Sequence, residues 1–173
     1  MQQPYAYPLT SDNIAAAIHM VNQAGRAAKD ATVTHYELAR KGESSFDYVN
    51  ECKRQKEAYY ELKRRALEKA AEIGIVTSTR LFAVKRTVED RTWYPYNEYE
   101  QGGYWDTKYV ERTEYYRFYE IGGLTFHQPC SPSEAEAEHA IPVTSGWDID
   151  TTPPPIDIVV EDAVATLEEF LKQ

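Results

Sequence analysis

Cysteine is scarce in this chain: of 173 residues only Cys52 and Cys130 carry a thiol. Two thiols cannot build a disulfide framework, and the expectation is a free pair in a reducing compartment. Long hydrophobic runs are also missing. No stretch of about 18 apolar residues exists, so no membrane-spanning helix and no membrane partner is expected. The opening residues, MQQPYAYPLTSD, have neither the basic nor the apolar region of a secretory signal, which points to a cytoplasmic protein.

Catalytic signatures are lacking as well. There is no Gly-x-Ser-x-Gly elbow, no Gly-rich phosphate loop and no cysteine–histidine signature. His127, Cys130 and His139 lie near one another in sequence, but without the close paired spacing of a zinc site or an evident fourth ligand. His19 and His35 fall on different faces of one predicted helix. No catalytic residue, cofactor or metal is therefore assigned. An enzyme whose acid–base groups carry no signature stays as a third reading.

What the chain does have is charge, and it is unevenly placed. The total is 28 acidic against 19 basic residues, a formal net charge of −9. Residues 1–129 hold 18 of each sign, so they are neutral; residues 130–173 hold ten acids and one base, Lys172. All of the net charge lies in the last quarter. That segment is either a solubilising tail or an acidic surface that occupies a basic site on a partner.

The residue pattern predicts an α+β fold in one compact domain. An extended arm, 1–10, carries Pro4 and Pro8 with Tyr5 and Tyr7, which need a surface to pack on. A long antiparallel αα-hairpin follows over 11–74. Its first helix has Ser11 or Asp12 as cap and a stripe of Ile14, Ile18, Val21, Ala24 and Ala28, with Thr32–Thr34 as a point of bending. Gly42 then separates it from a second helix with the stripe Phe46, Val49, Cys52, Tyr59, Leu62, Ala66 and Ile73, which Gly74 ends. This stripe is wider than one partner helix covers.

Residues 75–127 turn β-branched and aromatic, predicting a long antiparallel β-hairpin with an aromatic tip loop at 89–106 and a short third strand after Gly122-Gly123. The segment 128–173 is Pro-rich and loop-like. It contains a capping box at Ser133 and Glu136, a short strand at 156–159 and a terminal helix on Val160, Val164, Leu167 and Leu171. The uncovered helix stripe and two-faced strands point to a homo-oligomer, with a dimer favoured.

Aromatic residues are the most concentrated feature. Eleven of the 22 fall in 93–119. Those from Tyr109 to Tyr119 are expected to pack beneath the helical hairpin, with arginine–glutamate pairs bracing the sheet. At the tip, Trp93, Tyr94, Tyr96, Tyr99, Tyr104 and Trp105 have no such need, and are read as a protein interface. The leading expectation is a non-enzymatic protein-binding module docking through this tip and the acidic C-terminal surface. Small acidic proteins without catalytic motifs are a common form for virus-encoded inhibitors of host defence, and an inhibitor of a host system fits that general character. The alternative is a nucleotide, small-ligand or single-stranded nucleic-acid binder. There Arg80, Lys85, Arg86, Arg112 and Arg117 would hold phosphates while tyrosines stack on bases.

Overall fold

The computed structural model describes residues 3–143, 154 and 156–173. Two helices open it, α1 at Ser11–Arg40 and α2 at Phe46–Glu72. Each starts on a hydroxyl that accepts from a backbone amide of the first turn: Thr10 from Asn13, one residue before the expected cap, and Ser45 from Tyr48. Each ends in the same pair of reversed hydrogen bonds. Gly42 and Glu43 donate back to Ala39 and Leu38, and Gly74 and Ile75 to Ala71 and Ala70. Alanine-rich sequence holds α1 unbroken through Thr32–Thr34, where a bend was expected. There the Thr32 hydroxyl donates to the Ala28 carbonyl instead of disrupting the turn.

The remaining elements are β1 at Ser78–Pro95, β2 at Gly103–Ile121, β3 at Leu124–Cys130, α3 at Glu134–Glu138, β4 at Ile141–Val143 and α4 at Val160–Leu171. The architecture is α+β, with a mixed four-stranded sheet in the order β3-β2-β1-β4. The strands run through most of the window 89–106 that composition suggested as loop, so the turn shrinks to residues 96–102. The capping box of Ser133 and Glu136 starts α3. Strand β4 replaces predicted loop. It lies parallel to β1, with Phe82 opposite Ile141 and Val84 opposite Val143, and its Pro142 is tolerated because β4 is a sheet edge. The expected strand at 156–159 does not form; Ile158 is instead a buried core residue.

The described residues fall into two compact units. One holds residues 3–79, Tyr119–Phe126, 154 and 156–173; the other holds Arg80–Phe118 and 127–143. The first contains the hydrophobic core. Ile14, Ile18 and Val21 of α1 meet Ala66, Leu67 and Ala70 of α2, and α4 closes over them with Ala163, Leu167 and Phe170. Tyr119, Ile121, Leu124 and Phe126 complete the cluster from the strand ends. The apolar stripe that argued for a second copy is thus largely covered within the chain. Phe46 and Ile73, at the ends of α2, stay outside it. On α4 the buried face is Ala163, Thr166, Leu167 and Phe170, about one residue out of phase with the stripe expected from Val160, Val164 and Leu171. Between α1 and α2, the buried Lys63 ammonium donates to the buried Asn22 amide oxygen at 3.0 Å.

The N-terminal arm packs on α4 of its own chain. The Tyr5 amide donates to the Asp162 carboxylate at 2.8 Å and the Tyr7 amide to the Thr166 hydroxyl at 3.0 Å. Several acids of the C-terminal quarter therefore have structural partners inside the protein. Asp162 binds the arm, Glu136 caps α3 and approaches Arg117 at 3.6 Å, and Glu169 pairs with Lys172 at 3.3 Å.

The turn between β2 and β3 is a close approach. Gly122 has φ +54°, and a Cβ there would lie 3.0 Å from both an Asp12 carboxylate oxygen and the Ser11 carbonyl. Gly123 has φ +78° but open space around it. Gly122→Ala is expected to cost about 2 kcal/mol or more and Gly123→Ala about 1 kcal/mol. The midpoints of chemical denaturation of the two variants check this ordering.

Candidate binding interface

The outer part of the β1–β2 hairpin is built from aromatic side chains facing one another across the two strands. Successive residues of a strand alternate between faces. Trp93 and Trp105 meet on one face with ring centres 5.2 Å apart and a tilted geometry. On the opposite face Tyr94 stacks on Tyr104 at 5.5 Å, and Tyr96 reaches the same Tyr104 ring at 6.3 Å. Further along the tryptophan face, the Tyr109 hydroxyl donates to Glu89 at 3.4 Å. Each such aromatic pair contributes about 0.5–1.5 kcal/mol beyond its buried area.

Local chemistry explains why the pairs form. Gly103 lies beneath Trp93, and a Cβ at this position would stand 2.6 Å from the indole and 2.5 Å from the Tyr94 carbonyl. A side chain there would push Trp93 off the ribbon. Pro95 ends β1 without cost because it faces Gly103 where its missing N–H would point away from β2; the neighbouring bond runs from the Tyr96 amide to the Gly102 carbonyl.

All six tip residues named from the sequence are exposed, between 42% and 89%, with Tyr99 the most open. Five of them are brought together in the cross-strand pairs; Tyr99 sits apart in the turn, its amide bound to Asn97. The aromatics after Tyr109 divide differently from expectation. Of these only Tyr119 joins the core shared with the helices. Phe118 stacks on Phe82 at 4.2 Å, Tyr116 lies edge-on to His127 at 5.7 Å, and Tyr109 remains 70% exposed.

The five cations named as phosphate contacts are not gathered into one site. Lys85 pairs with Glu111 at 3.5 Å, Arg86 with Glu114 at 3.0 Å and Arg117 with Glu136 at 3.6 Å. Arg80 stands over the Phe82 ring at 5.5 Å. Arg112 has no carboxylate partner among the described residues. By strand alternation Arg80, Arg86 and Arg112 share one face, and Lys85 and Arg117 lie on the other.

One further concavity adjoins the sheet. An open depression of about 550 Å³ is lined by Thr113–Tyr116 of β2 and Pro129–Pro132. Sequence reading missed it because its walls come from two segments that only the β2–β3 pairing joins. Burial raises the Cys130 thiol above its ordinary value. Burial, and then the bond its hydroxyl donates to Glu114 at 2.8 Å, raises Tyr116 as well. Among the described residues no three His, Cys, Asp or Glu side chains converge as metal ligands, and no helix is long and apolar enough to cross a membrane.

No protein-family model, curated protein or solved structure matches this chain.

The raised thiol and phenol have a consequence for stability. Folded Cys130 and Tyr116 keep their protons to higher pH than the unfolded chain does. Their contribution is fully present below the ordinary values of 9.0 and 10.0, and is lost as pH rises from there through the raised folded values. Denaturant midpoints are expected to fall across that alkaline window, and Tyr116→Phe is expected to flatten the upper part of the decline.

Proposed function

We propose that this protein is a non-enzymatic binding module that docks on another protein through the aromatic outer half of its β1–β2 hairpin. One observation carries the reading. Exposed tryptophan and tyrosine pairs stand on both faces of the ribbon, held by each other and not by a core. Large apolar area left in water at a hairpin end is a cost that a docked partner removes. Tyr and Trp supply that area with few rotatable bonds, and the facing pairs lock the rings before a partner arrives. A ribbon of this form fits a groove, with one wall contacting Trp93 and Trp105 and the other Tyr94 and Tyr104. Occupying such a groove would make the protein a blocker of whatever the partner does there, consistent with an inhibitor.

The acidic C-terminal surface gives this reading less support than the hairpin does. Asp162, Glu136 and Glu169 already serve contacts within the chain. The nucleotide or nucleic-acid reading also draws less support. Of its five cations, Lys85, Arg86 and Arg117 face carboxylates at 3.0–3.6 Å. A phosphate would have to displace those partners first.

The test is a pull-down from the native host with the full chain and with the triple variant Trp93→Ala, Tyr96→Ala, Trp105→Ala. The variant is expected to lose its partner while far-UV circular dichroism of the helices stays unchanged. Partner capture at wild-type level by a folded triple variant would sink the proposal. A salt-sensitive thermal shift with oligonucleotides, absent for other polyanions, would favour the alternative.

A further inference from the structure

The ribbon leaves one strand edge open. Phe118 meets His127 across β2 and β3, and the tight turn joins Ile121 to Leu124. The same register places Cys130, the last residue of β3, opposite Tyr115. Residues of β2 from Gly103 to Arg112 therefore lie beyond the end of β3, and no other strand among those described borders β2 on that side. The Tyr96 to Gly102 bond sets the phase of the ladder. With bonded and non-bonded pairs alternating from there, the amides and carbonyls of Trp105, Thr107 and Tyr109 point outward, away from β1.

We propose that this edge pairs antiparallel with the same edge of a second copy of the chain, with Thr107 opposite its own counterpart. A two-fold axis normal to the sheet preserves its faces, so each residue meets one of its own parity. Three neighbouring registers satisfy that rule. Centring on residue 106 places Asp106 against Asp106, and centring on 108 places Lys108 against Lys108. Centring on Thr107 places Asp106 against Lys108 twice and Trp105 against Tyr109 twice. Opposite charges and aromatic pairs favour this register, and like charges disfavour the other two. Neither Asp106 nor Lys108 has an ion-pair partner within the chain among the described residues.

The outer edge of β1 is a poorer template. It ends on Pro95, which lacks a donor, and its own two-fold register about residue 90 sets Asp90 against Asp90. The β2 edge has no proline between Gly103 and Ile121. Pairing there joins two ribbons into one four-stranded sheet through main-chain bonds. It leaves Tyr94 and Trp93 facing outward, so it does not depend on the docking reading. A chain that dimerises but captures nothing keeps this proposal alone.

Sedimentation of the full chain over a dilution series is expected to show reversible exchange between 19.9 kDa and twice that mass. Thr107→Pro removes an outward amide and leaves the ladder to β1 intact, so it is expected to give a folded monomer. Asp106→Lys or Lys108→Asp alone is expected to weaken the dimer about tenfold, and the two together to restore it. Thr107→Cys in a Cys130→Ser chain is expected to form a covalent dimer on mild oxidation, because facing residues of a bonded pair lie within disulfide reach. This variant decides the matter even where Thr107→Pro fails to fold. A chain that stays monomeric at every concentration, or a dimer that the cysteine at 107 does not lock, overturns the proposal.

Discussion

A two-stranded antiparallel ribbon has no interior. Where β1 and β2 run past the ends of β3 and β4, only two strands pair among the described residues, and such a hairpin in water is marginal by itself. Its persistence here depends on contact between side chains that face each other across the strands. Trp93 against Trp105 and Tyr94 against Tyr104 supply it, at about 0.5–1.5 kcal/mol for each pair. The rest of the local chemistry serves this contact. Gly103 is small so that Trp93 can lie over it, and Pro95 stands where no hydrogen bond to β2 is lost. The same contact keeps the rings in water.

The helical unit solves the opposite problem. There α1, α2 and α4 bury alanine, isoleucine and leucine stripes, and the strand ends add Ile121 and Phe126. Its exposed ion pairs, such as Arg64 bridging Glu61 and Glu68, contribute little to stability. The acidic character of the C-terminal quarter is partly structural. Asp162 holds the N-terminal arm against α4, so Tyr7 packs on the core while Tyr5 lies edge-on to Tyr7 and stays largely exposed.

Local signals were readable to the extent that they act locally. Helix ends at Gly42 and Gly74 and the capping box at Ser133 each depend on a few consecutive residues, and each forms as the residue types dictate. Features set by distant partners were not readable. Strand β4 exists because Ile141 and Val143 meet β1, and nothing in Ile-Pro-Val alone says so. The tip window looked like loop because Pro95, Gly102 and Gly103 are breakers, yet facing aromatic rings draw the strands onward to residue 95. For the candidate interface, the aromatic concentration was legible in composition. The pairing of the rings, and the neutralisation of Lys85, Arg86 and Arg117 by glutamates, required the register of the sheet. The phase error on α4 has a similar source: Thr166 is buried because its hydroxyl binds the Asp162 carbonyl and receives the Tyr7 amide.

Cross-strand aromatic contact, and not core burial, holds the outer hairpin. Amide hydrogen exchange of the full chain and of Trp93→Ala, read by mass spectrometry, tests it most directly. Loss of one ring should speed exchange at the β1-facing amides from residue 104 to 108, and leave the core amides of α1 and α2 as slow as in the native chain. Unchanged exchange in the ribbon, or equal acceleration in the helices, would contradict the account.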